Sequence, residues 1–124
     1  MSRLILEMGT GNDLYGGDYT KAACRAVQDA LHHSSLTLFK SCGYPHTEMQ
    51  VKVTIGVQRP DLVDIAVVTA ELPRGRPEVV AVAGGLDVHD QENDTVSVIA
   101  TAAVEAFLDI DPADWRISDT GQGA

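Results

Sequence analysis

The segment GTGNDLYGGD, residues 9–18, places four glycines and two aspartates in ten positions. Glycine permits positive φ and close backbone approach. A glycine-rich turn between a strand and a helix aims backbone N–H groups at an anion, and the helix dipole assists. Gly9, Thr10, Gly11, Asn12, Asp13, Tyr15, Gly16, Gly17 and Asp18 are therefore candidate ligand contacts. The spacing is neither a Walker A loop nor the G-x-G-x-x-G fingerprint, and no Gly-Lys-Ser/Thr follows. Asp13 and Asp18 would repel a phosphate unless Lys21, Arg25 or a metal compensates. The competing reading is a tight turn in which Asn12 and Asp13 satisfy their own backbone and Asp18 caps the next helix.

A second constellation lies on MQVKVTIGV, residues 49–57. Gln50, Lys52 and Thr54 project together from the polar side of an alternating strand. Lysine in such a place ordinarily protects a sheet edge. Burial would lower its pKa and let it act as base for a hydroxyl nucleophile. Thr95 and Ser97 are the hydroxyls considered, at the start of an expected helix whose N–H groups would serve as oxyanion donors. Asp13, Lys52 and Ser97 are thus the candidate catalytic residues.

His32 and His33 suit the C-terminal dipole of the first helix. His46 and His89, with Asp13 and Asp87, could offer ligands to a divalent metal, yet no H-x-x-x-H or H-E-x-x-H spacing occurs. The sequence assigns no cofactor. Cys24 and Cys42 form no C-x-x-C motif, and both read as free, inert thiols.

The elements that must position these residues follow from periodicity. Leu4, Ile5 and Leu6 mark a strand over residues 3–8. Asp18 caps a helix over 19–33, where Ala22, Ala26 and Ala30 recur every four residues beside Ala23, Val27 and Leu31. Met49, Val51, Val53, Ile55 and Val57 alternate with polar residues, which predicts a strand with one buried face. Residues 61–72 admit a short helix or a β-branched strand, and the helix is the reading taken. Residues 78–83 read as a strand, 86–93 as a polar loop, and 95–108 as a last helix capped by Asp94. The order is β-α-β-(α)-β-α: an α/β (α+β) fold with a small mixed sheet and helices packed on one face. Residues 1–110 make one domain and 111–124 a tail.

The chain has 124 residues, a net charge of −9 and 5% aromatic residues. Nine basic residues against eighteen acidic ones exclude nucleic acid and anionic membrane surfaces as natural partners. No run approaches a membrane-spanning length, and the N-terminal apolar run is too short for a signal peptide, so a cytoplasmic protein is expected. A small aliphatic core leaves sheet surface uncovered, and self-association into a homo-oligomer is the expected remedy.

Gly9, Gly11, Asp13 and Gly16, followed by the alanine-rich helix, resemble the G-x-G-x-D-x-H-G signature of a small conserved-hypothetical family of unassigned activity. MQVKVTIGV, Arg59-Pro60, Pro73-Arg74-Gly75 and Gly84-Gly85-Leu86 extend the likeness to about Leu108. Tyr15 stands where that signature has histidine, so a role that needs imidazole there is not carried over. MQVKV, with the later serine-containing, alanine-rich segment, is similar to one repeat of the ring-opening amidohydrolases. That similarity implies Lys52 as base and Ser97 as nucleophile, although the serine-glycine-glycine motif of those enzymes is absent here. The expectation is a self-associating protein that binds a small polar molecule at residues 9–18 and the Lys52 strand face. Its rivals are cyclic-amide hydrolysis by Ser97 and Lys52, and a non-catalytic assembly protein.

Overall fold

The alternation in β2, Gln50–Val57, buries Val51, Val53, Ile55 and Val57 and turns Gln50 and Lys52 to solvent. That pleat recurs across the sheet. The computed structural model describes residues 2–32, 49–72 and 76–108. Its elements are β1, Ser2–Asp13; α1, Tyr19–His32; β2; a 3-10 turn, Pro60–Leu62; α2, Ile65–Thr69; β3, Arg76–Ala83; β4, Leu86–Asp90; and β5, Thr95–Leu108. The sheet is mixed and five-stranded, in the order β1-β5-β2-β3, with β4 also paired to β5. Helices α1 and α2 lie together on one face, α1 over β1 and β5, α2 beside β3. The expected class, a mixed sheet with helices on one side, is the observed one.

Three expectations are corrected. Residues 95–108 are not a helix but the long strand β5, which pairs with β1, β2 and β4. Val98, Ala100, Ala102, Val104, Ala106 and Leu108 are buried in strict alternation. The helical spacing of Val96, Ile99, Ala100, Ala103, Val104 and Phe107 came from a run in which ten of fourteen residues are apolar, so a period of two was present as well. Residues 86–90 are strand β4, not loop, because β5 supplies its hydrogen-bond partners. Asp94 caps no helix; it takes φ 50° in the hairpin turn, where Asp90 Oδ1 accepts from the N–H of Glu92 and Asn93.

The third correction concerns residues 9–13, which continue β1 instead of forming a loop. Gly9 and Gly11 face α1. A Cβ at Gly9 would stand 2.4 Å from Ala30 N, and one at Gly11 would stand 2.2 Å from Ala26 N. Ala22, Ala26 and Ala30 are fully buried against that strip. The two glycines and three alanines thus bring helix backbone onto strand backbone. The β1 edge is closed there by α1 itself: Thr10 N–H donates to Asp29 Oδ2 at 2.9 Å, and Arg25 Nη1 donates to Asn12 O.

Beyond Ala83 the chain crosses the end of β2 to join β5. Gly85, at φ 62°, could carry no Cβ, which would lie 2.2 Å from Ile99 O. Gln58 Nε2 ties this crossing down by donating to Gly84 O and Gly85 O, both at 3.1 Å. The short helix expected within 61–72 is present as the 3-10 turn and α2, whose first N–H groups at Ala66 and Val67 are held by Asp64 Oδ1.

Candidate functional site

The sheet has two unlike faces. On the side covered by α1, the register sets Asp13 of β1, Val98 of β5 and Asp87 of β4 in one row. The two aspartates flank Val98 and stand roughly 10 Å, two strand spacings, from each other. Asp13 is 7% exposed and is the buried charged residue of the described chain. Its Oδ2 accepts the Asp18 N–H at 2.9 Å, and its Oδ1 lies 3.8 Å from Arg25 Nη1. Asp18 Oδ1 in turn accepts the Lys21 N–H at 3.0 Å. The start of α1 therefore meets two carboxylates of its own chain, where an incoming anion would otherwise sit. Gly17 makes the turn at φ 61°, Gly16 bridges to Val96, and Tyr15 is 77% exposed.

Asp87 is held differently. The Tyr19 hydroxyl donates to its Oδ2 in a short hydrogen bond. Its Oδ1 is buried and has no partner among the described residues. The Asp87 contact, and then burial, push the Tyr19 phenol above its ordinary range, while the nearby Arg59 opposes the shift. Arg59 grips Asp61 through Nε and Nη2 at 3.3 and 3.2 Å. That contact holds the Asp61 carboxyl below its usual value. The Asp61 contact chiefly raises Arg59, with smaller contributions from Tyr19 and Asp87. The Gln58 bonds to Gly84 O and Gly85 O and the Thr20 Oγ1 bond to Leu62 O bring the Arg59 segment beside both β4 and the start of α1. Three elements meet here: the first residue of α1, the exit of β2 and the start of β4. Sequence reasoning missed this group. Tyr19 and Arg59 looked like a helix start and a strand breaker, and only the β4–β5 pairing brings Asp87 to them.

Among the described residues, no helix packs on the opposite face. Register rows place Leu6, Glu105, Lys52 and Glu78 side by side, then Met8, Ala103, Thr54 and Val80, then Thr10, Thr101 and Gly56. Asn12, Ile99 and Leu86 follow, and Val88 pairs with Ser97. Gln50, Lys52, Thr10, Asn12 and Ser97 thus share this face, whereas Gly9, Gly11 and Asp13 look the other way. The candidate residues do not converge on one point. Ser97 lies eight residues along β5 from Glu105, the partner of Lys52, or roughly 26 Å at strand rise. Its hydroxyl donates to Leu14 O at 2.7 Å. A Ser97–Lys52 hydrogen bond within one chain is geometrically excluded, and Ser97 has no helix N-terminus behind it.

Among the described residues, no three His, Cys, Asp or Glu side chains gather as a metal site. His89 sits on β4, 3.3 Å from Asp94 Oδ1, and His32 ends α1. His33, His46 and Cys42 lie outside the described residues. Cys24 is half-buried, and burial pushes its thiol up, with Glu71 and Asp18 adding to the effect. No helix of the described residues is long and apolar enough to cross a membrane.

A family model described as a conserved hypothetical protein, Lin0512_fam, matches residues 3–106. The chain belongs to that family. It is also similar to a crystal structure described as an FtsZ-like protein of unknown function from Nostoc punctiforme PCC 73102, at 36% identity and a TM-score of 0.77. That alignment covers 88% of this chain and 97% of the other. No curated protein shows significant similarity. Family membership gives a shared fold and attaches no reaction to it.

Proposed function

We propose that the chain is a self-associating binding protein that covers its bare sheet face with another copy of itself and takes a small polar molecule at the Tyr19–Asp87 end. The bare face carries the assembly reading. Met8 is 68% exposed there, Leu86 53%, Val88 49%, Val82 45% and Leu6 44%. Exposed large apolar side chains gathered on one sheet face among polar ones mark a contact surface. Strand lengths and spacing give the face roughly 750 Å², close to the ~800 Å² each partner contributes to a standard interface. A chain of net charge −9 repels its copies in general. This face, however, sets Arg3, Lys52 and Arg76 among Glu78 and Glu105. Both signs are therefore available for a self-complementary contact.

The small-molecule half of the reading moves from residues 9–18, whose glycines and acids are engaged within the chain, to Asp87 and its free oxygen. The catalytic alternative, a Ser97–Lys52 pair, would need a second chain to supply one of the two groups. The Nostoc protein's FtsZ-like designation supports a common architecture without adding a substrate.

Native mass spectrometry and sedimentation test the assembly. Wild type is expected as an oligomer. Met8→Asp with Val88→Asp should dissociate it while leaving circular dichroism unchanged. A wild-type chain that stays monomeric at its highest soluble concentration overturns the assembly half.

A further inference from the structure

We propose that Asp87 anchors a site for a small zwitterion with the chemistry of a free amino acid, whose ammonium displaces the Tyr19 hydroxyl and whose carboxylate meets Arg59. The inference rests on the ligand-binding half of the reading above and is independent of self-association.

The argument is one of counting donors. Asp87 has a buried Oδ1 without a hydrogen bond among the described residues, while Oδ2 holds the Tyr19 hydroxyl. A buried carboxylate oxygen lacking a donor is unfavourable. A phenol has a single O–H, so Tyr19 can serve one oxygen only. An ammonium has three N–H groups and can serve both oxygens of one carboxylate, with charge assistance. Tyr19 is the first residue of α1, half-buried and packed at the margin of the core, so a ligand that takes its place on Asp87 shifts a ring at the helix end and breaks no turn of the helix. Arg59 supplies the other half. Its Nε and Nη2 are taken by Asp61, which leaves Nη1 for a ligand oxygen. Its side chain is 58% exposed, as a receiving group must be. A zwitterion also suits a chain of net charge −9, which would repel a simple anion.

The test is calorimetric titration of the full chain with each of the twenty common amino acids. The N-acetyl and C-terminal amide forms of the best binder follow, with native mass recorded on the same samples. At least one free amino acid should bind. N-acetylation and Asp87→Asn should each weaken it more than tenfold. Amidation and Arg59→Met should weaken it by similar factors that do not multiply, since both remove one contact. Tyr19→Phe should tighten binding several-fold, because the competing hydroxyl is gone; a merely structural Tyr19 would give no tightening. No binding by any amino acid overturns the site, as does binding that survives N-acetylation or Asp87→Asn. Should Asp87→Asn fail to fold, the Tyr19→Phe and N-acetyl arms decide. Loss of ligand in an unchanged oligomer sinks this site alone, and a monomer that still binds sinks the assembly alone.

Discussion

Gly11→Ala separates the packing role of the first glycines from a ligand role. The new Cβ would stand 2.2 Å from Ala26 N and 2.4 Å from Ala22 O, both backbone atoms. No rotamer change relieves such a contact, so α1 must retreat by more than about 1 Å to restore ordinary separation. A gap of that size forfeits about a quarter to a half of the attraction at each facing contact. Ala22, Ala26, Val27 and Ala30, all fully buried, lose it together. Overpacking plus this loosening amounts to about 3–5 kcal/mol. For a domain of this size the melting temperature should fall by about 10–20 °C. The sign is diagnostic, because replacing glycine by alanine at an unconstrained site stabilises by about 0.4–1 kcal/mol. Gly16→Ala is the comparison: its Cβ would meet Asp13 Oδ2 at 2.9 Å, a side-chain atom that can shift by a few tenths of an ångström while loosening its bond to the Asp18 N–H, so a smaller loss is expected. Thermal and urea unfolding measured without any added ligand decide the matter. A Gly11→Ala chain that melts at or above wild type would refute the backbone-contact account of residues 9–11.

Two further outcomes follow from the site. Tyr19 is raised above the ordinary tyrosine value of 10.0 by its bond to Asp87. A raised folded-state value means that this contribution to stability is complete below pH 10 and is lost as pH climbs through the folded value. Absorbance titration at alkaline pH should show a late phenolate that Tyr19→Phe removes, and a removed transition that lies at or below the ordinary tyrosine value contradicts the contact. Ser97→Ala and Lys52→Ala should behave independently, since the two positions are roughly 26 Å apart within a chain. Cyclic-amide hydrolysis abolished by both substitutions, and restored by mixing the two variants, would instead reveal a pair formed between copies.

Much of the scaffold could be read before any coordinates. The alternation from Val51 to Val57, the four-residue alanine spacing of α1 and the Asp18 cap are local signals, and each appears where expected. The helices also lie on one side of the sheet as expected, although that expectation counted residues 95–108 as a third helix. The failures share one cause. Residues 86–90 alternate Leu86 and Val88 with Asp87 and His89 over too few positions to mark a strand alone, and become strand because β5 offers them a ladder. Residues 9–13 carry the glycines of a turn, yet the same absence of side chains suits a strand pressed beneath a helix.

Composition and periodicity by themselves determined the mixed α/β class, the aliphatic core, the first helix and its cap, and the acidic net charge. Those properties depend on residues near one another in sequence or on simple sums over the chain. Whether residues 95–108 coil or extend, which face Lys52 shares with Ser97, and which acid meets Tyr19 were decided by tertiary structure alone. Helical and extended periods coincide in a run of alanine and valine. Only the hydrogen bonds offered by distant strands break that tie, and those same pairings brought Asp87 beneath Tyr19.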